Sequence, residues 1–115
     1  MVDIFKALSE VSRLRIITLL IDEELCVCEI EHCLDMTQSN ASRHLTILRQ
    51  CGILDCKKKA QWAYYCINER FKEEQKELWS YLLNKLKELP TYETDFQKLK
   101  VCKERSICTS KSNPH

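Results

Sequence analysis

A chain of 115 residues with one glycine and two prolines cannot be built from many tight β turns. Helices must then carry most of the fold, and the place of the single glycine becomes informative. Gly52 directly follows the stretch Gln38 to Cys51, in which Ala41, Leu45 and Leu48 recur on one helical face. A left-handed helix C-cap favours glycine at that point, and Thr37 is a good N-cap at the other end. Beyond Gly52, the segments Ile53–Lys57 and Trp62–Ile67 flank Lys58-Lys59-Ala60-Gln61 and read as a β-hairpin.

The rest of the chain has helical periodicity. Ile4, Phe5, Leu8 and Val11 predict a short first helix, and Ser9 or Ser12 can cap a second carrying Leu14, Ile17, Leu20 and Ile21. Asp22-Glu23-Glu24 interrupts the pattern. Cys26 to Leu34 reads as a third helix with Ile30 and Leu34 inward, and Asp35-Met36-Thr37 as a turn into the fourth. A long helix is predicted over about Phe71–Leu89, with Leu78, Trp79, Leu82, Leu83, Leu86 and Leu89 as its apolar stripe and Pro90 as its stop. Tyr92 to Cys102 suggests a further helix and Arg105–His115 a polar tail. The expected division is a domain over 1–90 and a C-terminal helix and tail over 91–115.

Two helices joined by a tight turn, then glycine and a basic hairpin, form a winged helix-turn-helix pattern: mainly α with a small β-hairpin. In that arrangement the second helix of the pair enters the DNA major groove. Charge supports it. The whole chain is nearly neutral, with 18 Lys+Arg against 17 Asp+Glu, yet residues 37–59 hold Arg43, Arg49, Lys57, Lys58 and Lys59 against Asp55 alone. Gln38, Ser39, Ser42 and Arg43 fall in the first turns of the fourth helix. Gln and Arg can each make bidentate contacts to base edges, and Ser adapts to either base type. Lys57, Lys58 and Lys59 suit phosphates, which position without reading sequence. His44, about 100° round from Arg43, is open to a packed role or a DNA contact.

Eight cysteines are the compositional outlier. The opening residues lack the basic start and apolar run of a secretory signal, and the longest apolar stretch, Ile16–Ile21, is interrupted by Thr18. A cytoplasmic protein without a membrane segment is expected, and there cysteines serve as thiols for metal binding or redox sensing rather than as bridges. Cys26-Val27-Cys28 is the first candidate, because paired thiolates prefer soft ions such as arsenic(III), antimony(III), cadmium or lead. Residues two apart in a regular helix point about 200° apart, so the two sulfurs cannot meet inside one. Cys28 is therefore placed at the N-cap of the third helix, with Glu31 closing a capping box, where a helix N-terminus tends to lower a thiol pKa. An ion held by both sulfurs would pull the cap away and distort the start of that helix.

The runs Phe5-Lys6-Ala7-Leu8-Ser9, Ser12-Arg13-Leu14-Arg15-Ile16, Glu24-Leu25-Cys26-Val27-Cys28-Glu29-Ile30, Gln38-Ser39 and Ser42-Arg43-His44-Leu45 resemble, in order, the ArsR-type family of metal-responsive repressors over about residues 2–89. The resemblance implies a homodimeric winged-helix repressor that releases double-stranded operator DNA on binding a toxic metal or metalloid. It implies DNA contacts at Gln38, Ser39, Ser42 and Arg43. Ala60 departs from the glycine many relatives carry at the wing tip, and this puts the turn geometry in question. Arsenic-responsive relatives with a third ligand in the same helix have it three residues after the second cysteine. Here that position is Glu31, so the third thiolate is either Cys33, which needs helix distortion to join, or Cys102 or Cys108 near the C-terminus. Zinc sensors of the family use Asp and His on the long helix, which has no His over Phe71–Leu89. Cadmium and lead sensors add N-terminal cysteines, and persulfide sensors pair cysteines in the second and fifth helices, which lack them here. The resemblance thus points to arsenic(III) or antimony(III) as inducer at Cys26 and Cys28, with Cys33 the first candidate for the third thiolate and Cys102 or Cys108 its rivals.

Two other readings remain: a thiol-redox regulator using Cys102 and Cys108, and a thiol-rich metal-buffering protein. An enzyme is disfavoured, because His32, His44 and His115 are scattered and no glycine-rich phosphate loop is present.

Overall fold

A computed structural model describes residues 2–105 of the chain. Ten elements follow in order: α1 (Val2–Ala7), α2 (Val11–Leu19), β1 (Leu25–Cys26), α3 (Val27–Leu34), α4 (Gln38–Gln50), β2 (Leu54–Lys59), β3 (Trp62–Ile67), α5 (Glu69–Glu74), α6 (Lys76–Leu86) and α7 (Tyr92–Arg105). The strands form one antiparallel sheet of order β1-β3-β2. Ile16, Ile17, Leu19, Leu25, Ile30, Leu45, Leu48 and Ile53 are wholly buried at the centre, drawn from α2, β1, α3, α4 and the turn before the wing. None of the described helices is long and apolar enough to cross a membrane.

The junctions explain why the elements stop where they do. Neither Ser9 nor Ser12 caps α2; Glu10 stands at its N-cap without a side-chain bond. Ser9 closes α1 instead, its hydroxyl donating to the Lys6 carbonyl at 2.7 Å. Arg13 completes that closure, with Nε donating to the Ala7 carbonyl at 2.7 Å and Nη2 to the Lys6 carbonyl at 3.3 Å. These are carbonyls that a helix end leaves without partners. Asp35 turns α3 into α4 from a left-handed backbone, φ 58°, and Thr37 then caps α4 by accepting the Asn40 N–H at 3.2 Å. At the far end Gly52 takes φ 87°; its N–H reaches the Arg49 carbonyl and the Ile53 N–H reaches the Leu48 carbonyl, both at 3.0 Å. That bond pair is a Schellman cap, sealed by buried Ile53 against buried Leu48.

The wing is a hairpin in the register Leu54↔Ile67 to Lys59↔Trp62. Ala60 leads its two-residue loop at φ 58°, so the chain adopts with alanine the backbone that glycine would take at less cost. The doubt over the turn is resolved in favour of a closed wing. The long helix expected over Phe71–Leu89 is two helices, interrupted at Gln75 with φ −116° and ψ 49°. No glycine or proline announces this break; it is bridged by an edge-on contact between the Phe71 and Trp79 rings, 6.0 Å apart.

The helix after Pro90 returns to the core as α7. Asp95 is wholly buried and accepts a two-pronged bond from Arg15 on α2, with Nε at 3.0 Å and Nη2 at 2.8 Å. The Asp95 bond raises the Arg15 pKa further above its ordinary value. Leu99 and Cys102 are buried along the same helix. The tail beyond Arg105, including Cys108, lies outside the described residues.

Two outcomes are expected by chemical denaturation. Asp95→Asn should cost about 2–3 kcal/mol, less than a fully enclosed pair would, because Arg15 keeps some access to water. Ala60→Gly should gain about 0.5–1 kcal/mol, the relief of left-handed strain less the added freedom of glycine in the unfolded chain.

Candidate nucleic-acid interface and thiol site

α4 presents two faces. Ala41, His44, Leu45 and Leu48 are buried, whereas Gln38, Ser39, Ser42 and Arg43 are exposed together on its N-terminal half. The four candidate base-reading residues therefore share an open surface, and the tight turn at Asp35-Met36-Thr37 fixes its angle to α3.

His44 turns inward. Its Nδ1 lies 3.2 Å from Arg13 Nη1, and its Nε2 lies 3.6 Å from Glu10 Oε1 and 3.5 Å from Arg43 Nη2. Guanidinium groups, which only donate, face both ring nitrogens; the shorter contact, to Arg13, takes the lone pair at Nδ1, and the Nε2 proton is left beside the Glu10 carboxylate. Burial lowers the His44 pKa below its ordinary value, with Arg43 and Arg13 adding to the effect and Glu10 opposing it.

The three wing lysines divide by strand alternation. Lys57 and Lys59 both reach Glu24, at 3.3 and 2.6 Å, while Lys58 is exposed on the opposite face. Glu24, held below the usual carboxyl range by Lys59 and Lys57, was not evident as a partner of the wing, since more than thirty positions separate them.

The thiol pair sits differently from the expectation. Cys26, not Cys28, is the N-cap of α3, and the box is closed by Glu29, not Glu31: Glu29 Oε1 accepts the Cys26 N–H at 3.0 Å. Because Cys26 is extended, φ −83° and ψ 168°, the 200° rule for helical neighbours does not apply, and the sulfurs of Cys26 and Cys28 stand 3.5 Å apart. Two metal–sulfur bonds of about 2.3 Å meeting at about 95–110° place their sulfurs about 3.4–3.8 Å apart. The pair thus fits one soft ion. Cys26 also belongs to β1, whose backbone pairs with the wing strand through Leu25↔Tyr65 and Cys26↔Tyr64. That two-residue strand is too short to leave a periodic signal in sequence.

Cys33 is not gathered with the pair. It is wholly buried on α3 and faces Cys102 on α7; burial first, and then Cys102, push its thiol up to about 12. Cys102, a candidate third ligand near the C-terminus, is equally buried. Cys66 is buried, and Cys51 and Cys56 are half-buried, as packing would have them. Among the described residues no group of three or more Cys, His, Asp or Glu forms a metal cage.

Residues 2–55 match the family described as "Bacterial regulatory protein, arsR family". The fold superposes on HlyU from Vibrio cholerae N16961 at 34% identity and a TM-score of 0.60, over 70% of this chain and 88% of that one. The chain belongs to the ArsR family. Its winged helix-turn-helix is the fold of that family's regulators. A curated relative, the arsenic resistance transcriptional regulator ArsR1 of Pseudomonas putida, is 48% identical over 63 residues, which is 54% of this chain and 49% of that protein. The matched stretch thus spans about half the length of that ArsR relative. The homodimeric winged helix-turn-helix DNA-binding domain of Mb0332 from Mycobacterium bovis, a possible ArsR-family regulator, aligns at 25% identity and a TM-score of 0.62, over 72% of this chain and 77% of that one.

The burial of Cys33 and Cys102 has a direct readout. At pH 7.5 both should resist maleimide labelling in the native protein and react only after unfolding, because a buried neutral thiol is a poor nucleophile. Mass spectrometry of the labelled peptides checks this.

Proposed function

We propose that this ArsR-family regulator is a repressor that holds operator DNA as a homodimer and releases it on binding arsenic(III) or antimony(III). The observation that carries the reading is the 3.5 Å pair of Cys26 and Cys28 sulfurs at the start of α3. Soft thiolates at that spacing suit a thiophilic ion, and the similarity to an arsenic resistance regulator supports the choice. Cys26 and Cys28 make the first grip. Cys33 supplies the third thiolate only if α3 opens, since it is wholly buried and packed against Cys102 on α7.

The same helix start is tied to both halves of the DNA surface. Through the Asp35 turn α3 sets α4, and through β1 it joins the wing strand β3. An ion drawn onto both sulfurs disturbs the cap and the box at that junction. In the repressing state Gln38, Ser39, Ser42 and Arg43 read base edges, and Lys58, with Lys57 and Lys59 beside Glu24, contacts phosphates. Phe5 on α1, Val11 at the start of α2 and Tyr81 on α6 are more than half exposed; a second copy of the chain covers them. Cytoplasmic thiol chemistry suits this role better than a redox pair at Cys102, whose sulfur is enclosed.

The test uses a duplex selected by the wild-type protein from a random-sequence pool. Arg43→Ala should weaken binding to it by about 1–3 kcal/mol, whereas Lys58→Ala should weaken all duplexes alike and flatten the salt dependence. Arsenite should dissociate the wild-type complex while zinc does not. Cys26→Ser and Cys28→Ser should each keep DNA binding and lose the response, and Cys33→Ser should blunt it. Release of the double Cys26→Ser/Cys28→Ser variant at wild-type arsenite concentration would refute the sensor assignment. Sedimentation at micromolar concentration should give a dimer.

A further inference from the structure

The buried cluster under α4 joins a titratable ring to a residue of the DNA-reading surface. His44 packs against the core of the domain, and the next residue, Arg43, extends outward with its Nη2 only 3.5 Å from His44 Nε2. The charged groups facing the ring are Arg13 from α2, Glu10 from the N-cap of α2 and Arg43 from its own helix. Arg13 cannot step aside cheaply: its guanidinium also holds the Ala7 and Lys6 carbonyls at the end of α1. Its nitrogen 3.2 Å from Nδ1 is a permanent donor, so the ring fits this place only while Nδ1 is an acceptor.

Protonation reverses that fit. A proton on Nδ1 sets donor against donor at Arg13 and places a positive ring between two guanidinium groups. Glu10, 3.6 Å from Nε2, offsets more than Arg13 adds, but burial and Arg43 together outweigh it. The groups fixed most firmly are those of α1 and α2, so the strain is relieved on α4, by movement of the ring and of the Arg43 side chain beside it.

We propose that His44 is a positioning residue for Arg43, and that its protonation withdraws Arg43 from base reading, so that acid weakens sequence-specific DNA binding. The proposal rests on the reading of α4 as the DNA-contacting helix. Its sign is opposite to the general one. A protein that gains positive charge as pH falls binds phosphate backbone more tightly, whatever the sequence.

The experiment measures fluorescence anisotropy of the selected duplex and of an unrelated duplex of equal length, from pH 7.5 to 5.5 at fixed ionic strength. Wild-type affinity for the selected duplex should fall progressively toward pH 5.5, while affinity for the unrelated duplex holds or rises. His44→Gln keeps an acceptor for Arg13 and cannot be protonated in this range, so its profile on the selected duplex should be flat or rising. Parallel profiles for wild type and His44→Gln would overturn the proposal. Where His44→Gln fails to fold by circular dichroism, titration of the His44 Cε1–H resonance decides. By reciprocity the selected duplex must shift the midpoint to lower pH, and an unchanged or raised midpoint overturns the proposal. Arg43→Ala at pH 7.5 separates the two ideas. If it leaves affinity for the selected duplex unchanged, α4 is not the reader and both fail; if it weakens binding while the pH profiles stay parallel, only the role of His44 fails.

Discussion

The buried guanidinium of Arg13 is the constraint around which the DNA-binding half is arranged. Its charge is permanent and its side chain is almost closed to water, so every donor has to find an acceptor inside the protein. Those acceptors come from the end of α1 and from His44 on α4, with the Glu10 carboxylate 3.5 Å away. One residue thus ties three helices together, and α4 is held by a hydrogen bond as well as by apolar packing. Arg15, one turn's fraction further along α2, does the equivalent for the C-terminal helix through Asp95. The pair Arg13 and Arg15 points to opposite sides of α2, and between them they fasten α1, α4 and α7 to it.

Much of this was legible in the sequence. Gly52 announced a left-handed cap because no other residue type takes φ 87° so freely, and the Schellman bonds follow from it. Thr37 announced the start of α4, and the alternation of exposed and buried positions along α4 separated Arg43 from Leu45. What the sequence concealed depends on distant partners. Glu24 lies far from Lys57 and Lys59 along the chain, Asp95 far from Arg15, and Cys33 far from Cys102, so no local spacing rule brings them together. The break at Gln75 has no local signature either.

The thiol pair is the instructive error. Helical arithmetic at 100° per residue separates Cys26 from Cys28, and that arithmetic holds only where both residues are helical. Cys26 is the cap, its backbone extended and paired with Tyr64, so the angle between the two side chains is set by the strand-to-helix junction. The junction was placed two residues too late because β1 is two residues long and because Glu31 offered a plausible capping partner. Glu29 takes that role with its carboxylate buried, and the sulfur takes the place a hydroxyl usually fills.

The magnitudes make a switch at this junction reasonable. A cap contributes about 0.5–2 kcal/mol to a helix, and a coupling between two ligands is typically about 1–3 kcal/mol. Disturbing the box at Cys26 and Glu29, as proposed, therefore costs free energy of the same order as a typical coupling between two ligands, without unfolding the domain. The grip of Cys26 and Cys28 leaves the core of Ile30, Leu34 and Leu45 in place; only recruitment of Cys33, which belongs to the same cluster, disturbs it. A sensor placed in the core would have to overcome several times that energy, and one placed on the open surface would not move α4 at all. The cap of α3 lies between these limits, one short helix and one tight turn away from the residues proposed to read DNA.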